Sequence, residues 1–102
     1  MLTIYAKLTA ADGKADELKK ALTEMVKNVK EKEAGKTTCY SLHVQNDNPN
    51  VFMFYEQYAS AEAAEEHGKT DHMRTMGRAL RDQALLAGPP VIERFTQVAG
   101  VS

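Results

Sequence analysis

The chain reads as an α+β domain built on a four-stranded antiparallel sheet with its helices on one face. Three observations lead there. Apolar and polar residues alternate in separate short runs, two intervening stretches switch to helical spacing, and the segment NDNPN joins two of the runs as a hairpin. The 102 residues fit one domain, 1–102, with a modest core and little material to cover every apolar face.

From Leu2 to Thr9, Leu2, Ile4, Ala6 and Leu8 alternate with Thr3, Tyr5, Lys7 and Thr9, the period of a half-buried strand. Between about Asp12 and Glu33 the period lengthens. Leu18, Leu22, Met25, Val26 and Val29 recur at helical spacing, with Asp16 and Glu17 in the opening turn and Lys30 and Lys32 near the end, as the helix dipole favours. Gly35 stops that helix. Thr37 to Asn46 alternates again, with Tyr40, Leu42 and Val44 opposite Cys39, Ser41 and His43. Asn46 to Asn50 is rich in residues that turn the backbone, so a third strand, Val51 to Tyr58, pairs antiparallel with the second.

Ser60 sits where a helix N-cap belongs, before the helix formers Ala61 to His67, and Gly68 ends that helix after about two turns. Thr70 caps another from Asp71 to about Leu85, with Met73, Met76, Leu80 and Ala84 on one face, until Gly88, Pro89 and Pro90 prevent continuation. Val91 to Val98 reads as a last, β-branched strand. The order β-α-β-β-α-α-β, with crossovers long enough for helices, is the split βαβ or ferredoxin-like arrangement.

Strand three is apolar on both faces, with Phe52, Phe54 and Tyr58 opposite Val51, Met53 and Tyr55, and strand four sets Val91 and Phe95 opposite Ile92 and Val98. The helices cover one face. A second copy, packed sheet to sheet, is the expected cover for the other.

Composition excludes several classes of function. Thirteen basic and 14 acidic residues give a formal charge of −1, and no basic run interleaves with aromatics, so a nucleic-acid partner is not expected. No run approaches the ~20 apolar residues of a membrane span, and the opening strand with Lys7 is unlike a signal peptide. Cys39 is alone, so no internal disulfide forms, and a cytoplasmic location is expected. No glycine-rich phosphate loop or dinucleotide fingerprint marks a flavin or nicotinamide site, and no cofactor is expected.

The candidate chemistry concentrates between Val51 and Met76. His67 and His72 are five positions apart, about 140° on one unbroken helix, so they are not the paired ligands of a helical zinc site. The break at Gly68 could turn both toward Glu56 at the end of strand three, where a hydrogen bond from a histidine to Glu56 would fix the imidazole's tautomer. The same three residues could instead be a satisfied polar cluster tying the short helix to the sheet. Tyr5, Tyr40 and Tyr58 on strands, with Met73 and Met76 on a helix, suit either core packing or the walls of an aromatic pocket. His43, His67, His72 and Glu56 could be gathered around a metal, but their spacing matches no recognised ligand template, and none is expected.

The stretch FMFYEQYASAEAAEEHGKTDHMRTM resembles the antibiotic biosynthesis monooxygenase, or quinol monooxygenase-like, family: a strand ending in Tyr-Glu-x-Tyr, a short helix ending in His, then Thr-x-His and an apolar residue. Length and element order extend the resemblance over the whole chain. It implies a dimeric α+β barrel of ferredoxin-like subunits, each with a pocket between sheet and helices. The activity it implies is cofactor-independent oxidation of a quinol or phenolic molecule by O2, with His67 and His72 as acid/base or substrate-binding groups and Glu56 orienting one of them. Haem-degrading members are a poorer match: they carry a pocket tryptophan and asparagine, whereas this chain has no Trp and places Tyr5 and Lys7 on strand one. Two other readings stay open. One is an isomerase or degradative enzyme for a small polar metabolite, marked by a cation such as Lys7 facing the pocket. The other is a non-catalytic, stress-associated dimer that binds a small aromatic molecule.

Overall fold

A computed structural model describes residues 1–101. Its elements are β1 (Leu2–Thr9), α1 (Ala15–Lys32), β2 (Thr37–Gln45), β3 (Asn48–Tyr58), α2 (Ala61–Gly68), α3 (Asp71–Asp82) and β4 (Val91–Thr96). The sheet runs β2-β3-β1-β4, with every neighbouring pair antiparallel. Strands β1 and β3 are therefore central, and each βαβ crossover steps over one strand, as in the ferredoxin-like fold.

Helix α1 lays Leu18, Leu22, Met25 and Val29 on the sheet, one buried face at helical spacing. They meet Ala6, Leu8, Phe52 and Phe54 from β1 and β3, and Met76 and Leu80 from α3, in the main core. Ile4, Tyr58 and Ala64 form a smaller cluster under α2. Gly35 lies two residues past the α1 C-cap at φ +85°, where only glycine is unstrained, and it turns the chain sharply into β2.

Both predicted caps form. The Ser60 hydroxyl accepts from the Ala63 N–H, and the Thr70 hydroxyl accepts from the Met73 N–H while donating to the His67 carbonyl. Thr70 therefore fixes the corner between the two histidines. Gly68 is the last residue of α2, not its terminator, and the chain bends after it at Lys69 and Thr70.

Three boundaries differ from the sequence reading, each for a tertiary reason. Helix α3 stops at Asp82, short of Leu85, because Leu86 bridges to Ala10 just past β1 and the Ala87 N–H bonds the carbonyl of Thr9, the last residue of β1, with Ala84 making the turn at φ 50°. Strand β3 begins at Asn48, which opposes Gln45, so the hairpin turn is shorter than NDNPN. Strand β4 ends at Thr96, opposite Leu2, the first residue of β1, and past it the Gln97 N–H still bonds the Met1 carbonyl. No helix of the described residues is long and apolar enough to cross a membrane.

Candidate functional site

Sheet register lays the floor of the site. Tyr40 opposes Glu56, Glu56 opposes Ile4, and Ile4 opposes Arg94, one polar-rich row across β2, β3, β1 and β4. The adjacent row of Phe54, Ala6 and Ile92 is apolar. Because side chains two apart along a strand share a face, both rows point to the helix side. There they floor a cavity of about 350 Å³ whose roof includes His67, Met73 and Met76.

His67 and His72 do converge, but on a carboxylate the sequence reading passed over. The buried Glu33, at the C-cap of α1, accepts from His67 Nδ1 at 3.0 Å, from His72 Nε2 and, at 2.6 Å, from the Thr37 hydroxyl. Burial pushes the Glu33 carboxyl up, yet the hydrogen bonds from Thr37, His72 and His67 outweigh it and hold the group below its ordinary value. An ionised carboxylate only accepts, so His67 must donate from Nδ1, and in the neutral form of the ring the lone pair is then at Nε2. Nε2 has no hydrogen-bond partner. No fully buried side-chain polar atom among the described residues lacks one, so Nε2 is not fully buried, and His67 lines the cavity.

Glu56 does not orient a histidine. Its carboxylate accepts from the Tyr58 hydroxyl at 2.6 Å. Burial, above all, and the nearby Glu33 charge raise its pKa to about 7, against opposing effects from Tyr58 and Arg94. Burial and the two carboxylates likewise push the Tyr40 and Tyr58 phenols up, so both stay protonated at neutral pH. Glu56 is thus a carboxyl that can exchange its proton near neutral pH.

That shift sets a testable pH dependence. A carboxyl whose folded value lies above its unfolded one stabilises the fold fully below pH 4.5 and loses that contribution as pH rises through about 7. The loss is on the order of 3 kcal/mol. Glu56→Gln keeps an acceptor for Tyr58 without the charge, so the variant should gain stability over the parent between pH 5 and 8. Urea melts of both proteins across that range check it; parallel pH profiles would count against a buried, titrating Glu56.

The other sequence candidates separate cleanly. Tyr40, Met73 and Met76 line the cavity with Glu56 and His67. The Tyr40 ring lies 5.2 Å, and the Tyr58 ring 5.4 Å, from the His67 ring. Tyr58 is fully buried beneath the cavity and reaches it through Glu56. His72 is held behind Glu33 and does not line the cavity. Tyr5 lies on the opposite sheet face, its ring 5.5 Å from Tyr55 and 5.2 Å from Phe95. Lys7 shares that outer face of β1 and is exposed, so the cation at the cavity is Arg94. A wider hollow of about 620 Å³ lies over Tyr5, Tyr55 and Phe95, but no acidic, basic or histidine side chain lines it. Of the two, the smaller cavity is the one that gathers titratable groups, His67, Glu56 and Arg94.

Glu33, His67 and His72 also bring two imidazole nitrogens and a carboxylate oxygen within 4.8 Å of one another, a donor set suited to a divalent transition ion. It differs from the set gathered from the sequence: Glu56 is committed to Tyr58, and His43 is exposed on β2 beside the Ser41 hydroxyl. The three donors are already joined by hydrogen bonds that account for their burial.

A ferredoxin-like domain with a histidine and a carboxyl group meeting at an apolar cavity defines the class. Residues 1–79 match the profile of the antibiotic biosynthesis monooxygenases, and the chain belongs to that family. A candidate antibiotic biosynthesis monooxygenase of Caulobacter crescentus CB15 is similar at 32% identity and a TM-score of 0.86, over 96% of this chain and 90% of that one. The protein PA3566 of Pseudomonas aeruginosa is 28% identical, with a TM-score of 0.85, over 96% and 94%. Rv0793 of Mycobacterium tuberculosis, at 18% identity over 99% and 98% with a TM-score of 0.87, shares the fold. No curated protein matches the chain significantly by sequence.

Proposed function

We propose that this protein is a monooxygenase that oxidises a quinol or phenolic molecule with O2 and needs no prosthetic group. The observation that carries the reading is His67: Nδ1 anchored on an ionised Glu33, in a ring that lines an apolar cavity. Such an imidazole is a general base fixed in tautomer and direction. It takes the phenolic proton, leaving an electron-rich anion that reduces O2 directly. One oxygen atom bonds to a ring carbon and the other leaves as water, so a quinol becomes a hydroxyquinone with all four electrons drawn from the substrate. Glu56, a carboxyl that can exchange its proton near neutrality, supplies a proton to the departing oxygen. Tyr40, Phe54, Met73 and Met76 hold a planar ring, and about 350 Å³ suits a small bicyclic molecule.

Oxygen uptake with a panel of naphthoquinols tests the reading, with the hydroxyquinone as expected product. Tight binding without turnover would favour a non-catalytic binding protein. Lys7 faces away from the cavity, so the cation that marks the isomerase reading is Arg94, and quinols that consume no oxygen would favour that reading.

The outer sheet face completes the proposal. Tyr5 and Phe95 are 39% and 47% exposed there, beside half-buried Met53 and Tyr55, a patch that a second copy would cover sheet to sheet. Sedimentation at micromolar concentration should give twice the 11.3 kDa chain mass, and Phe95→Asp should shift it toward one. A parent protein sedimenting as a single chain would sink the dimer. A cytoplasmic setting fits the lone Cys39.

A further inference from the structure

Arg94 ends the polar row Tyr40, Glu56, Ile4, Arg94 and lines the cavity from β4, at the opposite end from His67 and Glu56. Two strand spacings put its Cα roughly 9–10 Å from that of Glu56. Among the described residues it forms no ion pair and no side-chain hydrogen bond, although its charge reaches Glu56. Every residue of β4 is exposed, and Ile92, beside Arg94 on the cavity face, is 58% exposed. The cavity mouth therefore lies over this edge strand, with one guanidinium at its rim and an apolar floor of Ala6, Phe54 and Ile92 leading inward.

We propose that the ligand is an amphiphilic aromatic acid, a planar ring system whose phenol enters toward His67 and Glu56 while a carboxylate at the far end is held by Arg94. A guanidinium takes a carboxylate through two parallel N–H donors, a geometry that a single ammonium does not offer. The row's geometry makes the demand specific. Phenol and acid must stand at opposite ends of the ring system, because Glu56 and Arg94 are separated by the whole width of β1. Ile4 between them gives no polar contact, so the middle of the ligand is apolar.

The inference rests on the ligand cavity of the proposed function, and binding tests it independently of the oxidation chemistry. Affinities are measured by calorimetry for 6-hydroxy-2-naphthoate, its methyl ester and 3-hydroxy-2-naphthoate, whose acid sits next to the phenol. The 6-hydroxy acid should bind about tenfold more tightly than its ester, the gain expected of one charge-assisted contact. The 3-hydroxy isomer should show no such gain. Arg94→Gln should erase the preference of acid over ester, and Arg94→Lys should keep part of it. Equal affinity of acid and ester in the parent overturns the inference whatever the variants do, as does a preference that survives Arg94→Gln. Failure of every quinol to consume oxygen, with the acid preference intact, removes the monooxygenase chemistry and upholds the role of Arg94.

Discussion

Replacing Glu33 with alanine is expected to cost about 3–5 kcal/mol of folding stability, the usual penalty for breaking a buried ionic cluster by removing one partner. Three donors depend on this carboxylate: His67 from α2, His72 from α3 and Thr37 from β2. Without it, two buried imidazoles and a hydroxyl lose their acceptor, and α1 loses its tie to the corner fixed by Thr70. For a domain of this size, melting should fall by at least about 12 °C. Glu33→Gln keeps one acceptor oxygen and should fall between parent and alanine variant. Glu31→Ala, exposed two residues earlier on the same helix, should shift stability by no more than about 0.5 kcal/mol. The pH dependence has the sign opposite to that of Glu56. A carboxyl held below its ordinary value contributes fully above its unfolded pKa of 4.5, and that contribution is lost as pH falls through the folded value. Below pH 4.5, where the contribution of Glu56 is already complete, further acid should therefore weaken the parent and leave Glu33→Ala little changed. If Glu33→Ala melts within a few degrees of the parent at pH 7, the cluster is not what joins the three elements.

Most of the scaffold was legible because each signal was local. Alternation grouped Phe54, Glu56 and Tyr58 on one face of β3 and Ile4 with Ala6 and Leu8 on one face of β1, as read, while register and helix packing decide that both are the helix side. The same alternation placed Tyr5 on the other face, and including it among the ligand contacts set its residue type above its register. Ser60 and Thr70 announced their caps because capping needs only the next three residues. Glu33 was illegible for the opposite reason, lying 34 and 39 positions from the histidines it binds. One local signal existed. An acid at the C-terminal end of a helix opposes the dipole that Lys30 and Lys32 complement, and a residue held against its local preference points to a partner elsewhere. Arg94 was hidden more deeply still, because its approach to the cavity depends on β4 pairing with β1 in one register.

His67 is where structure and chemistry can be separated, since its two ring nitrogens do different things. Nδ1 donates to Glu33, whereas Nε2 is the proposed base. Asparagine places an amide N–H close to the position of Nδ1 and leaves nothing at Nε2, so His67→Asn should keep the buried hydrogen bond and melt within a few degrees of the parent. Its turnover of an active quinol should nevertheless fall by about 10²–10⁴, the contribution of a positioned general base. His67→Ala should lose both properties, the hydrogen bond costing about 1–3 kcal/mol. His72 provides the contrast. Its bond to Glu33 runs through Nε2, which glutamine mimics, and it does not line the cavity, so His72→Gln should keep most of both. Steady-state oxygen uptake across pH 5–9, paired with thermal melts of the four proteins, resolves these cases. A His67→Asn enzyme with parental turnover would mean that the cavity's proton acceptor lies elsewhere. Glu56 would then be the next group to test, because it is the carboxyl on the cavity floor and burial raises its pKa to about 7.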